Sequence, residues 1–128
     1  MTPSLAIDLA VMERNIVAMV SVATNAGVRL RPHTKTHKCP EIARIQVEAG
    51  AVGITAAKLG EAEGMADAGL DDILVAYPIV GEQELTRLRA LRDRARVRVS
   101  VDSLDVAEGI GSVGSEGRRR SSVLRAST

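Results

Sequence analysis

Two histidines, two lysines and an arginine fall within residues 31–38, in the run RPHTKTHK, and Cys39 and Pro40 follow at once. Each of these side chains can do chemistry. A neutral amine attacks carbonyl carbon, an imidazole moves protons or binds metal, a thiolate attacks or ligates, and a guanidinium holds phosphate or carboxylate. The run therefore has three readings: a solvated loop, a metal site, or the anchor of a covalently held cofactor.

Geometry separates them. If a strand runs through residues 28–35, period-two alternation sends Arg31, His33 and Lys35 to one face and Leu30, Pro32 and Thr34 to the other. A parallel strand is covered on both sides, and a stack of cations there is costly unless something anionic sits among them. A phosphorylated, carbonyl-bearing ligand supplies both the anion and an electrophile. Lys35, at the C-terminal end of this strand, is then the nucleophile candidate, because a partly desolvated amine among cations is the kind that forms a Schiff base. Lys38 reads as a surface residue or an anion contact.

The metal reading of His33 and His37 is weaker. A spacing of four suits ligands on one helix, but Pro32 and Pro40 interrupt any helix here and no acid lies in the segment before Glu41. The plain alternative makes His33 a hydrogen-bonded core histidine and His37 a loop residue. Cys39 reads as a helix-start residue. It is the only cysteine, which excludes an internal disulfide and a cysteine-based zinc cluster.

The elements that must position these residues follow from periodicity. Met12, Ile16, Met19, Val20 and Ala23 recur at helical steps after Asp8, an N-cap candidate, and the pattern ends near Gly27. SLAID, before it, has the look of a short strand. Four strand-like runs, VRLRPHT, AVGITAA, DILVAYP and RVRVSVD, then start near residues 28, 51, 72 and 96. Helical segments lie between them: one opens at Pro40 and closes before Gly50, one runs through Leu59, Ala62 and Met65 to Gly69, and one carries Leu85, Leu88 and Leu91. Regular β-then-α alternation predicts parallel strands with right-handed crossovers, in an open doubly wound sheet or a closed barrel. No Gly-x-Gly-x-x-Gly follows the first strand and no Walker-type sequence occurs, which removes the usual signals of a nucleotide-binding open sheet. A whole barrel takes roughly 250 residues, so this chain holds about four βα units of one.

After Ser103 the periodicity decays into GIGSVGSEGRRRSSVLRAST. Residues 111–128 read as a disordered tail, of the kind a reading-frame shift in a GC-rich gene would produce. That tail also carries the arginines that bring the net charge to +1, since residues 1–116 alone have a net charge of −3. With Tyr77 the only aromatic residue, the body lacks the basic, aromatic-interleaved face of a nucleic-acid binder. Acids within the first 15 residues and the absence of a long apolar run argue against a signal peptide or a membrane span. A soluble cytoplasmic protein is the expectation.

TPSLAIDLAVMERNI, GVRLRPHTKTHK and GAVGITAAKLGEAEGMADAGLDDILVAYPIVG together resemble the N-terminal half of the D-threonine aldolase and D-serine dehydratase family, over residues 2 to about 114. The resemblance implies a pyridoxal-phosphate enzyme with an alanine racemase-like barrel. The expected fold is thus α/β, a partial TIM barrel over residues 1–110 followed by the tail. It implies that the first lysine of the His-x-Lys-Thr-His-Lys run, Lys35, carries the cofactor. Arg31, His33 and His37 beside it, and Tyr77 at the end of the third strand-like run, are the candidate cofactor contacts. SLAID would join a separate β domain completed by the C-terminal half. The resemblance further implies a divalent metal whose ligands lie outside this chain, a D-amino-acid substrate, and a homodimer for full-length members, with no nucleic-acid or membrane partner. The implied reactions are retro-aldol cleavage and β-elimination of D-3-hydroxy-amino acids, between which these residues do not choose. A racemase, a non-catalytic pyridoxal-phosphate carrier and an inactive truncated product are the alternatives.

Overall fold

The computed structural model describes residues 3–115. Asp8 caps the first helix, α1 (Leu9–Asn25), by accepting a hydrogen bond from the Val11 N–H at 3.0 Å. Only Ala23 of this helix is buried, and Val17, Met19 and Val22 are each more than half exposed. A single 3₁₀ turn (Thr34–Thr36) precedes α2 (Pro40–Glu48), which opens with Pro40 at its first turn. Three βα units complete the chain: β1 (Ile54–Ala56) and α3 (Leu59–Asp67), β2 (Asp72–Val75) and α4 (Glu82–Arg92), β3 (Arg96–Val99) and α5 (Leu104–Ser115).

The strands are parallel and lie in chain order, β1-β2-β3, with Ile54 level with Ile73 and Ile73 level with Val97. Residues 28–33 extend this order on the outer side of β1. They are joined to it by a bridge between His33 and Thr55 and by the Val52 and Thr55 N–H groups, which donate to Leu30 and Pro32 carbonyls. With this segment the described residues hold four βα units. The described strands run in sequential order, as neighbouring strands of a (β/α)8 barrel do.

Period-two alternation gives the sheet two unlike faces. Ile54, Ala56, Ile73, Val75 and Val99 are buried, in one core with Leu59, Met65, Leu88 and Leu91 of α3 and α4. The other face carries the level residues Thr55, Leu74 and Arg98, with Asp72 below them. Full burial of each Leu or Ile on the helix side stabilises by about 1.5–3 kcal/mol, which makes that side the source of the fold's stability.

Three expectations are corrected. The first strand-like run does not continue through Lys35: Pro32 has no N–H to give a ladder, and the backbone turns into the 3₁₀ helix at Thr34. SLAID is no strand among the described residues. Its Leu5 is fully exposed, and no neighbouring strand pairs with it. Where no helix was expected after Ser103, α5 runs to Ser115 and buries Ile110 and Val113 in the core. The tail boundary at residue 111 falls inside this helix. Residues 116–128, to which the rest of the expected tail belongs, lie outside the described residues.

Candidate functional site

Lys35 sits in the 3₁₀ turn where residues 28–33 end, and it is exposed. Three hydrogen bonds set the turn. The Lys35 N–H donates to His33 Nδ1 at 3.2 Å, the Lys38 N–H donates to the Thr34 carbonyl at 2.7 Å, and the Cys39 N–H donates to His37 Nδ1 at 3.0 Å. Both histidines thus cap backbone through Nδ1, and Lys38 takes a left-handed conformation with φ of 49°. Thr34 anchors the turn from beneath. It is wholly buried, and its Oγ1 lies 3.0 Å from the Thr55 carbonyl and 2.5 Å from Glu61 Oε1 on the first turn of α3.

The same end of the sheet gathers further polar groups. Lys58 ends the β1–α3 connection as the N-cap of α3, and Tyr77, 49% exposed, lies just past β2. Lys38, Lys58, Glu61 and Tyr77 line one cavity of about 860 Å³. Lys35 and His33 do not line it. Among the described residues no acid forms an ion pair with Lys35.

Arg31 is not at this end. Its Nη2 lies 2.8 Å from Asp72 Oδ1, and its Nη1 donates to the Ile54 and Asp72 carbonyls at 3.2 and 3.0 Å. Arg98 also bonds to Asp72 Oδ1, and Arg96 stands 3.7 Å from Oδ2. Asp72 opens β2, and three residues of strand, about 10 Å, separate it from the C-terminal end. The expectation that the basic face requires an anion was sound for Arg31, but the anion is a carboxylate of the chain. Gly53 makes this possible: a Cβ there would lie 2.4 Å from Arg31 Nη1 and 2.4 Å from the Asp72 carbonyl oxygen.

His37 faces a second, apolar cavity of about 750 Å³, lined by Met12 and Ile16 of α1, Leu30, Ile42 and Gln46. Its Nε2 is buried there without a partner, as is Gln46 Oε1. Beside it, the Cys39 thiol donates to Glu41 Oε2 at 3.0 Å, and this bond is the largest cause holding the Glu41 carboxyl below its usual range. Among the described residues no three His, Cys, Asp or Glu side chains cluster as a metal site would require. No helix among them is long and apolar enough to cross a membrane.

Sequence reasoning missed Thr34, Glu61 and Asp72 as parts of this architecture. Asp72 carried a signal, an acid at the head of an apolar strand. Glu61 carried none, because it becomes a neighbour of Thr34 only through the packing of α3.

A family model described as alanine racemase, N-terminal domain, matches residues 7–125. The chain belongs to the alanine racemase N-terminal domain family. Within that family, it is 45% identical to D-threonine aldolase of Arthrobacter sp. over 102 residues, 80% of this chain and 27% of the relative. It is 41% identical to D-threo-3-hydroxyaspartate dehydratase of Delftia sp. (strain HT23) over 115 residues, 90% of this chain and 30% of the relative. The crystal structure of D-threonine aldolase from Filomicrobium marinum superimposes with a TM-score of 0.86 at 42% identity, covering 89% of this chain and 31% of that one. The chain therefore spans about 27 to 31% of the length of these relatives. The parallel arc of an alanine racemase N-terminal domain accounts for the βα order and for the end at which the lysine turn stands.

Proposed function

We propose that this chain carries the cofactor-holding lysine of a pyridoxal-phosphate-dependent lyase acting on D-3-hydroxy-amino acids. One observation carries the reading: an exposed amine, Lys35, with no ion-pair partner among the described residues, stands on a hydrogen-bonded turn at the C-terminal end of parallel strands. That is the end at which βα barrels gather their reactive groups. The names of the relatives, an aldolase and a dehydratase of D-3-hydroxy-amino acids, support the substrate class.

The described residues fit the cofactor as a covalent anchor. Lys35 would hold the cofactor through its amine, and the exposed turn leaves Nζ open to a carbonyl-bearing ligand. Once held, the cofactor's pyridine ring supplies an electron sink when a bond to the substrate's α-carbon breaks. Lys35 Nζ, at the same place, would be the chain's group able to hold or return a proton beside that carbon. Tyr77, with Lys38 and Lys58, offers polar contacts at the same end of the sheet, and His33 orients the turn by accepting from the Lys35 N–H. Retro-aldol cleavage and β-elimination both fit this reading.

Borohydride reduction of the chain loaded with pyridoxal 5′-phosphate, followed by peptide mapping, is expected to place the pyridoxyl group on Lys35. Lys35→Ala should remove it. A label carried by Lys38 in the unaltered chain would overturn the assignment.

A further inference from the structure

We infer that Glu61 is a positioning residue for Lys35, acting through the hydroxyl of Thr34. The inference rests on the reading of Lys35 as the cofactor lysine and adds what sets that lysine's direction. Thr34 and Lys35 are adjacent in a 3₁₀ turn, where successive side chains diverge by about 120°. One points down and is wholly buried, and the other points out to solvent. Whatever fixes the azimuth of Thr34 therefore fixes that of Lys35.

The hydroxyl of Thr34 is the fixing point. Its single proton faces two acceptors, the Thr55 carbonyl of β1 at 3.0 Å and Glu61 Oε1 of α3 at 2.5 Å. The two lie on different elements, so rotation of the turn in either direction lengthens at least one contact. Both acceptors are themselves held. Thr55 pairs with Leu74 in the sheet, and α3 is pinned by Leu59, Ala62 and Met65, none more than 2% exposed. Thr34 and Thr55 are the buried polar residues of the described chain, so this contact lies where a misplaced hydroxyl would have no water to turn to.

The His33 and Lys38 bonds to the turn are backbone-directed and fix its pitch, whereas the Thr34 contacts fix its rotation against the sheet. Among the described residues Glu61 bonds to Thr34, and it also lines the cavity that Lys38, Lys58 and Tyr77 share. It thus links the lysine turn to the polar end of the neighbouring βα unit.

The test uses the full chain with pyridoxal 5′-phosphate as the probe. Apparent affinity is followed by titration, and the labelled lysine is identified after borohydride reduction, in the unaltered chain and in Thr34→Val, Thr34→Ser, Glu61→Ala and Glu61→Gln. Circular dichroism confirms that each variant is folded. Glu61→Ala keeps a helix-favouring residue on the first turn of α3, so it remains informative should Thr34→Val not fold. Thr34→Val and Glu61→Ala are expected to weaken the apparent affinity about fivefold, the worth of one buried hydrogen bond, and to spread the label from Lys35 to Lys38. Thr34→Ser and Glu61→Gln, which keep the hydroxyl and the carbonyl acceptor, should stay within about twofold of the unaltered chain with the label on Lys35. A residue that only filled the core would leave the site of labelling unmoved. Retention of affinity and of Lys35 labelling in folded Thr34→Val and Glu61→Ala would overturn the positioning role and leave the cofactor lysine standing. Labelling of another lysine in the unaltered chain would overturn both.

Discussion

At residue scale, the segment that looked like one functional unit divides at Pro32. Arg31, before it, belongs to a half-buried ion cluster with Asp72, while Lys35, after it, belongs to an exposed turn. The cluster depends on the lack of a side chain at Gly53, where φ is 146° and Arg31 crosses the backbone. Gly53→Ala would force a methyl group to within 2.4 Å of both the guanidinium and the Asp72 carbonyl oxygen, in a backbone conformation that suits glycine. The expected cost is about 3 kcal/mol, a lowering of the urea midpoint by roughly 2 M for a chain of this size. An unchanged midpoint would show that Arg31 leaves its place without cost and that the ion cluster contributes little. The sequence pattern placed Arg31, His33 and Lys35 on one face around an anionic ligand, but the turn at Thr34 breaks that alternation, and the anion beside Arg31 is Asp72. The identity of the anion was not legible. Asp72 lies 41 residues further on and meets Arg31 only through the spacing of intervening strands.

At element scale, the helices whose ends carry chemical punctuation were legible: α1 begins after its Asp8 cap, and α2 opens at Pro40. So were β1 and β2, as apolar runs between turn residues, and β3, as an alternation of arginine and valine. Two elements were misread, each because tertiary context outweighs local preference. The run over residues 28–35 has strand composition, yet Pro32 and the buried Thr34 turn it at its end. Helix α5 contains Gly109, Gly111 and Gly114, each costing about 1 kcal/mol relative to alanine, and this masked the stripe of Val106, Ile110 and Val113. That stripe packs against the same core as α4, so burial and not propensity forms the helix. Gly111 is exposed, and a Cβ there would touch nothing within 4 Å. Gly111→Ala is therefore expected to stabilise the chain by about 1 kcal/mol, measured as a raised urea midpoint. No effect would mean that residue 111 is not helical in solution and that the disordered-tail reading holds from there on.

At the scale of the whole molecule, the arc has one finished side and two unfinished ones. Helices α3, α4 and α5 pack side by side on the sheet and bury its apolar face. Helix α1 does not share in this. Leu5, Ile7, Leu9, Val11, Val17, Met19 and Val22 all stay exposed along the N-terminal segment, and several of them border the apolar cavity beside His37. Exposed apolar surface of that extent marks an association site, and among the described residues the outer edges of residues 28–33 and of β3, at opposite ends of the sheet, add backbone groups without a strand partner. The chain on its own is therefore expected to self-associate, through the α1 face first, because apolar contact there needs no rearrangement of the sheet. Sedimentation velocity over a series of concentrations should show the average mass rising with concentration. Val11→Lys combined with Met19→Lys places two like charges on that face while leaving the α3–α5 core untouched, and should return the chain toward a monomer. A monodisperse monomer at every concentration would show that the exposed α1 residues form no association site. Aggregation unaltered by the paired lysines would place the contact on the sheet edges instead, where a charge or a proline directed at residues 28–33 becomes the next variant.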